Sequence, residues 1–125
     1  MANVMDNVKE TSILIAGRKV SGTSVYSSTG ENIGAIYDVM IDKSTGKIVY
    51  ALMSFGGFLG VGKKLSPLPW GVLKYGPALG GYVIHLSKSQ LEGAPSYPVD
   101  FLPDFSDRER ESELHRYYGV PPYWM

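Results

Sequence analysis

Between residues 31 and 70 the chain carries two long runs in which apolar side chains occupy both alternate faces. In the first, residues 33–42, Tyr37, Val39 and Ile41 share one parity while Ile36 and Met40 share the other with Asp38 and Asp42. In the second, residues 48–55, Val49, Met53 and Phe55 oppose Ile48, Tyr50 and Leu52. Runs so rich in Ile, Val, Tyr and Phe read as strands, and Ser44-Thr45-Gly46 between them reads as a hairpin turn with Gly46 at positive φ. The same spelling, Ser28-Thr29-Gly30, precedes the first run and predicts a second hairpin, hence a meander. A half-solvated antiparallel sheet needs only one apolar face. One face here fills the interior of a small barrel, and the other must meet a flanking segment or a second copy of the chain.

The remaining pattern places the other elements around this hairpin. Residues 1–12 are polar and read as loose, and the apolar run 13–16 reads as a short strand or a segment lying against the barrel. A strand is expected over 20–26, with Gly22 marking a bulge or a close backbone approach. Four glycines within 56–62 predict a corner whose sharp bends still allow Phe58, Leu59 and Val61 to be buried. Pro67 and Pro69 restrict residues 65–70 to an edge or irregular extended piece that delivers Trp70 to the core. Short strands follow at 72–75 and 82–86. Ser87-Lys88-Ser89-Gln90 has capping-box spacing for a helix stopped by Gly93, and Ser106-Asp107-Arg108-Glu109 opens a second helix over about 107–118, ended by Gly119. On it Leu114, Tyr117 and Tyr118 form a short apolar stripe, and with Tyr123 and Trp124 they make an aromatic tail suited to clamping onto a surface.

Composition then removes whole classes of chemistry. Twelve basic residues balance twelve acidic ones, so no overall field recruits nucleic acid or an anionic membrane. The chain has no cysteine, which excludes disulfides, thiolate catalysis and thiolate metal sites. No run approaches the length of a membrane span, and 13–16 is too short for a signal-peptide core, so the expectation is a single-domain cytoplasmic protein.

The candidate chemistry is thin. Gly57 to Gly62 followed by Lys63 and Lys64 misses the phosphate-loop pattern by its last residue, and Pro67 with Pro69 forbids the helix such a loop requires. Asp38 and Asp42 sit about 13 Å apart along one strand by the usual rise, too far to share a metal or a proton, and read as solvated or turn-bonding carboxylates. His85 and His115 lack metal-ligand spacing, and no nucleophile elbow frames a triad. No catalytic, cofactor or metal residue is assigned. Two alternative functions stay open: a ligand-binding or enzymatic pocket near residues 56–70 and His85, and an RNA-associated patch of Lys63, Lys64 and Lys74 with Trp70 and Tyr75.

Residues 20–95, through Gly22, Val25, Gly30, Ile33, Gly34, Ile36, Asp42, Gly46, Gly56-Gly57, Gly60, Gly62, Pro69-Trp70 and Leu91, resemble a PRC-barrel domain. The resemblance implies an all-β fold: a small barrel of antiparallel hairpins with a short helix after the last strand and, here, a helical and aromatic C-terminal tail. Residues 1–19 are then an N-terminal extension, 20–95 the barrel and 96–125 the tail. Relatives with this fold, the cytoplasmic part of the photosynthetic reaction centre H subunit and a ribosome maturation factor, use it as a docking surface, and the shared residues are turn glycines and core positions. The resulting expectation is a non-catalytic, cofactor-free interaction or assembly module. It self-associates as a homodimer through Ile36 and Met40 of the hairpin or through Leu114, Tyr117, Tyr118, Tyr123 and Trp124. In the competing account, the tail folds back and covers the hairpin's second face within one chain.

Overall fold

The computed structural model describes residues 8–55 and 64–125. The glycine-rich corner expected over 56–62, with Lys63, lies outside them. Among the described residues seven strands form one sheet in the order β5-β6-β1-β2-β3-β4-β7: β1 Ser24–Ser27, β2 Asn32–Ile41, β3 Ile48–Ser54, β4 Lys64–Pro69, β5 Leu73–Gly76, β6 Gly81–Ile84 and β7 Tyr97–Pro98. Helices are few: α1 Gly17–Val20, α2 Lys88–Glu92 and α3 Arg108–Tyr118. Only the 3-10 turn Trp70–Val72 separates β4 from β5, yet β6, β1, β2 and β3 lie between those two strands in the sheet. The sheet must therefore curl back on itself. No ladder joins β4 to β5 among the described residues, so hydrogen bonding leaves it unclosed.

The meander forms as its turns dictate. Gly46 sits at φ 75° and Gly30 at φ 87°, both in the left-handed region that a β-carbon disfavours. In the β2–β3 turn the Asp42 carboxylate accepts from the Ser44 and Thr45 amides at 2.8 and 3.3 Å, the turn-bonding role expected of it. β1 pairs antiparallel with β2, and β2 with β3. Not every pairing is antiparallel, however: β6 lies parallel to β1, because the curl brings the β5–β6 hairpin to the free side of β1.

Two local expectations are corrected, and the two-way expectation for residues 13–16 is narrowed to a segment lying against the core. Residues 17–20 form a helical turn, so the first strand begins only at Ser24. Gly22 sits at φ 89° with open space where a β-carbon would stand, so it serves a turn, not a close approach. Residues 13–16 form no strand; Ile15 packs on the core while Ile13 and Leu14 face outward.

The proline-bearing segment is a regular strand. β4 pairs along β3 from Leu65 opposite Ser54 to Pro69 opposite Tyr50, while β7 borders it only at Lys64 and Leu65. Pro67 and Pro69 thus stand where the outer side of β4 has no strand to receive an N–H, which is where a sheet tolerates proline. The core gathers Val25, Ile33, Ile36, Ala51, Met53, Leu68 and Ile84 between the curled layers. Trp70 is only half-buried and packs edge-on against Tyr82, with ring centroids 5.2 Å apart.

Candidate functional site

β3 is the strand the apolar pattern marked as two-faced, and both its faces are covered. Ala51 and Met53 lie in the core, and Tyr50, of the opposite parity, is 1% exposed beneath the C-terminal segment of its own chain. Its ring meets Phe105 at 5.8 Å, His115 at 5.5 Å and, edge-on, Tyr123 at 5.6 Å. The segment is held by its own local chemistry. Asp107 caps α3 by accepting from the Arg110 amide at 3.2 Å, while Ser106, the expected cap, donates its hydroxyl to Asp104. Gly119 ends the helix at φ 68°. Beyond it Trp124 lies under the Arg108 guanidinium, 4.1 Å from ring centroid to carbon, a cation–π contact.

The buried stripe of α3 is Glu111, Leu114, His115 and Tyr118, at i, i+3, i+4 and i+7. Tyr117, expected in that stripe, is 46% exposed and donates its hydroxyl to the Gln90 carbonyl on α2. Sequence reading missed Glu111 and His115 because both are polar; their spacing from Leu114 and Tyr118 was the available signal.

Burial here strands polar atoms. His115 donates from Nδ1 to the Glu111 carbonyl at 2.6 Å, which leaves Nε2 facing away. That Nε2, Glu111 Oε1, Tyr50 Oη and Tyr118 Oη make no hydrogen bond among the described residues. The Tyr50 hydroxyl stands close enough to the Glu111 carboxylate to influence its ionisation, yet the pair does not reach hydrogen-bond geometry. Burial pushes the Glu111 carboxyl above the usual range, against the opposing pull of the Tyr50 hydroxyl, His115, Arg110 and Arg108. Burial likewise pushes the Tyr50 and Tyr118 hydroxyls up.

A carboxyl raised by folding supports the fold fully below its unfolded pKa and loses that support as pH rises through its folded value. Glu111→Gln should therefore gain stability relative to the parent as pH rises from 4 to 7, with the two converging in acid. Urea melts across that range check it; parallel pH profiles would contradict it.

The other two-faced strand, β2, is uncovered on one side. An extra residue at Tyr37, between the Ile36–Met53 and Asp38–Leu52 pairs, forms a bulge that turns Tyr37 outward. Tyr37 is 43% exposed and Ile41 54%. With Val39, Ile48, Arg18 and Asp38 they line a groove of about 530 Å³ between α1 and the hairpin.

The residues expected at an interface are thus divided. Ile36, Leu114 and Tyr118 are buried inside the single chain and are corrected as contact residues: the bulge keeps Ile36 inward, and α3 turns Leu114 and Tyr118 onto the sheet. Met40 is half-buried against the core, Trp124 is half-buried under Arg108, and Tyr117 and Tyr123 keep an exposed side. For the alternative sites, His85 is exposed, Lys64 and Lys74 lie on the consecutive strands β4 and β5, and Trp70 and Tyr75 both pack edge-on against Tyr82. No helix among the described residues is long and apolar enough to cross a membrane, and no three His, Asp or Glu side chains among them cluster as a metal site.

Curled sheet, turn glycines and proline-bearing β4 together describe a small β-domain, and the PRC-barrel domain family model matches residues 13–91. The chain belongs to the PRC-barrel family. The match starts earlier than the resemblance traced from residue 20, taking in α1 and the segment before it, and stops at Leu91, so α3 and the aromatic tail lie beyond it. An uncharacterized protein of Deinococcus radiodurans is 29% identical over 79 residues, a stretch that is 63% of this chain but 28% of that protein.

Proposed function

We propose that this chain is a non-catalytic interaction module whose partner is a second copy of itself, docked through the groove beside Tyr37 and Ile41. The observation that carries this reading is the uncovered side of β2. The tail already shields Tyr50 on β3, while Tyr37 and Ile41 stay open next to Val39 and Ile48. Arg18 and Asp38 line the same groove and form no ion pair with each other within one chain. A two-fold axis through the groove would set Arg18 of each copy against Asp38 of the other, the self-complementarity that an isologous contact requires. Membership of a family whose shared positions here are turns and core supports a scaffold reading over a catalytic one.

Light scattering on the full chain at micromolar concentration and above is the test. A dimer of the 13.7 kDa chain is expected, and Tyr37→Glu with Ile41→Glu should shift it to monomer while leaving the melting midpoint nearly unchanged. A parent chain that is monomeric throughout, or a doubly substituted chain that stays dimeric, would overturn the reading.

A further inference from the structure

Beyond the family match, which ends at Leu91, the chain lays its C-terminal segment, residues 104–125, over Tyr50 of β3. Apolar packing holds this cover in place: Leu114 and Tyr118 are buried, and Phe105 and Val120 pack against the core. Among the described residues a single hydrogen bond joins the segment to the rest of the chain, from the Tyr117 hydroxyl to the Gln90 carbonyl. Its other hydrogen bonds and its ion pair are internal. The four buried polar atoms left without a partner, Glu111 Oε1, His115 Nε2, Tyr118 Oη and Tyr50 Oη, all belong to α3 or to the strand that the segment covers. Opening the cover would give each of them water, which offsets part of the apolar contact that is lost.

We infer that residues 104–125 form a pH-gated cover, which stays closed on β3 while Glu111 carries its proton and opens, with the sheet still folded, as Glu111 ionises. Glu111 is 2% exposed in the closed form, and among the described residues no cation pairs with it. The groups that act on its charge are Tyr50 from β3 and His115, Arg108 and Arg110 from α3 itself. Arg108 is engaged over the Trp124 and Tyr123 rings, Arg110 is drawn to Asp107 at 3.8 Å, and His115 Nδ1 is bonded to the Glu111 carbonyl. Burial therefore holds the carboxyl above its usual range, whereas in the open form water surrounds it. Below the ordinary carboxylate range both forms are protonated and closure is fully supported. As pH rises towards the closed-form value the ratio of open to closed climbs by about tenfold per pH unit, and beyond that value it levels off. Charging the buried His115 would act in the opposite sense, opening the cover as pH falls.

Amide hydrogen exchange of the full chain, followed by NMR with each rate divided by the intrinsic rate at the same pH, tests the cover. A helix as short as α3 is marginal by itself in water, so it unwinds on release and its amides report the opening. At pH 7 the amides of Leu114, His115 and Tyr118 should be at least tenfold less protected than those of Ala51, Leu52 and Met53 on β3. Their protection should also fall at least tenfold between pH 4 and pH 7. Glu111→Gln, which has no proton to lose, should hold that protection level across the same range. Equal protection of α3 and β3, protection that ignores pH or falls towards acid, or an undiminished slope in Glu111→Gln would each overturn the inference. All but the last of these readings need only the unsubstituted chain, so the test decides even if the variant fails to fold.

Discussion

Tyr50→Ala should destabilise the chain by about 3–5 kcal/mol, the range for truncating a large buried aromatic, and should free the C-terminal segment to proteolysis. Tyr50 is where the tail meets the sheet: Phe105, His115 and Tyr123 all pack on its ring. Removing the ring deletes contacts on each of them and leaves a void that α3, capped at both ends and held to the core by Leu114, is poorly placed to fill. The hydroxyl contributes differently. It makes no hydrogen bond among the described residues, so Tyr50→Phe should be close to neutral or stabilising, since the phenylalanine buries the same ring without the unpartnered oxygen. Denaturant melts of the two variants, with limited proteolysis of residues 105–125, check the pair. A loss below about 1 kcal/mol for alanine would mean that the tail is not anchored on this ring.

The second large effect is expected at Gly34 in β2. A β-carbon there would stand 2.4 Å from the Ser54 carbonyl oxygen and 3.3 Å from Cγ and Sδ of Met53 on the neighbouring strand. Met53 has a flexible side chain that can retreat. The Ser54 carbonyl is backbone, and moving it separates β2 from β3 at the start of their ladder, where Ala35 faces Ser54. Gly34→Ala is therefore expected to cost about 3 kcal/mol, the upper end for overpacking a well-filled site. Gly17→Ala is the matched control. It meets nothing within 4 Å, lies in the helical turn α1, and should change stability by no more than about 1 kcal/mol, in the favourable direction. Equal melting midpoints for the two substitutions would refute the packing argument.

These two sites differ in how far the sequence revealed them. Gly34 belongs to the pattern that resembled the PRC-barrel domain, but a glycine inside an apolar run only signals that something comes close, not what. The tail is legible as an aromatic clamp, but its residues leave open whether it covers the hairpin's second face or meets a second copy of the chain. Tyr123 on Tyr50 puts that cover over β3, while Tyr37 and Ile41 of β2 stay exposed. On α3 the apolar stripe and the docking face share only Leu114 and Tyr118. Leu114, Tyr117 and Tyr118 form the apolar set, yet the face that docks contains Glu111 and His115 in place of Tyr117. Hydrophobicity ranks a buried glutamate last, so no reading of polarity finds it.

The sequence alone determined the features whose causes lie within a few neighbouring residues. The Asp42 turn with Gly46 at positive φ, the Ser87 capping box and the stop of α3 at Gly119 are all local backbone chemistry. Tertiary structure decided what depends on segments distant along the chain. The bulge at Tyr37 chose which parity of β2 turns inward, the curl of the sheet put β6 parallel to β1, and the docking of α3 on β3 and β4 buried Glu111, whose Oε1 makes no hydrogen bond among the described residues. Side-chain periodicity defines two faces for a strand or helix but carries no label for the one that meets a neighbour. That choice is made by burial summed over all the segments that come together.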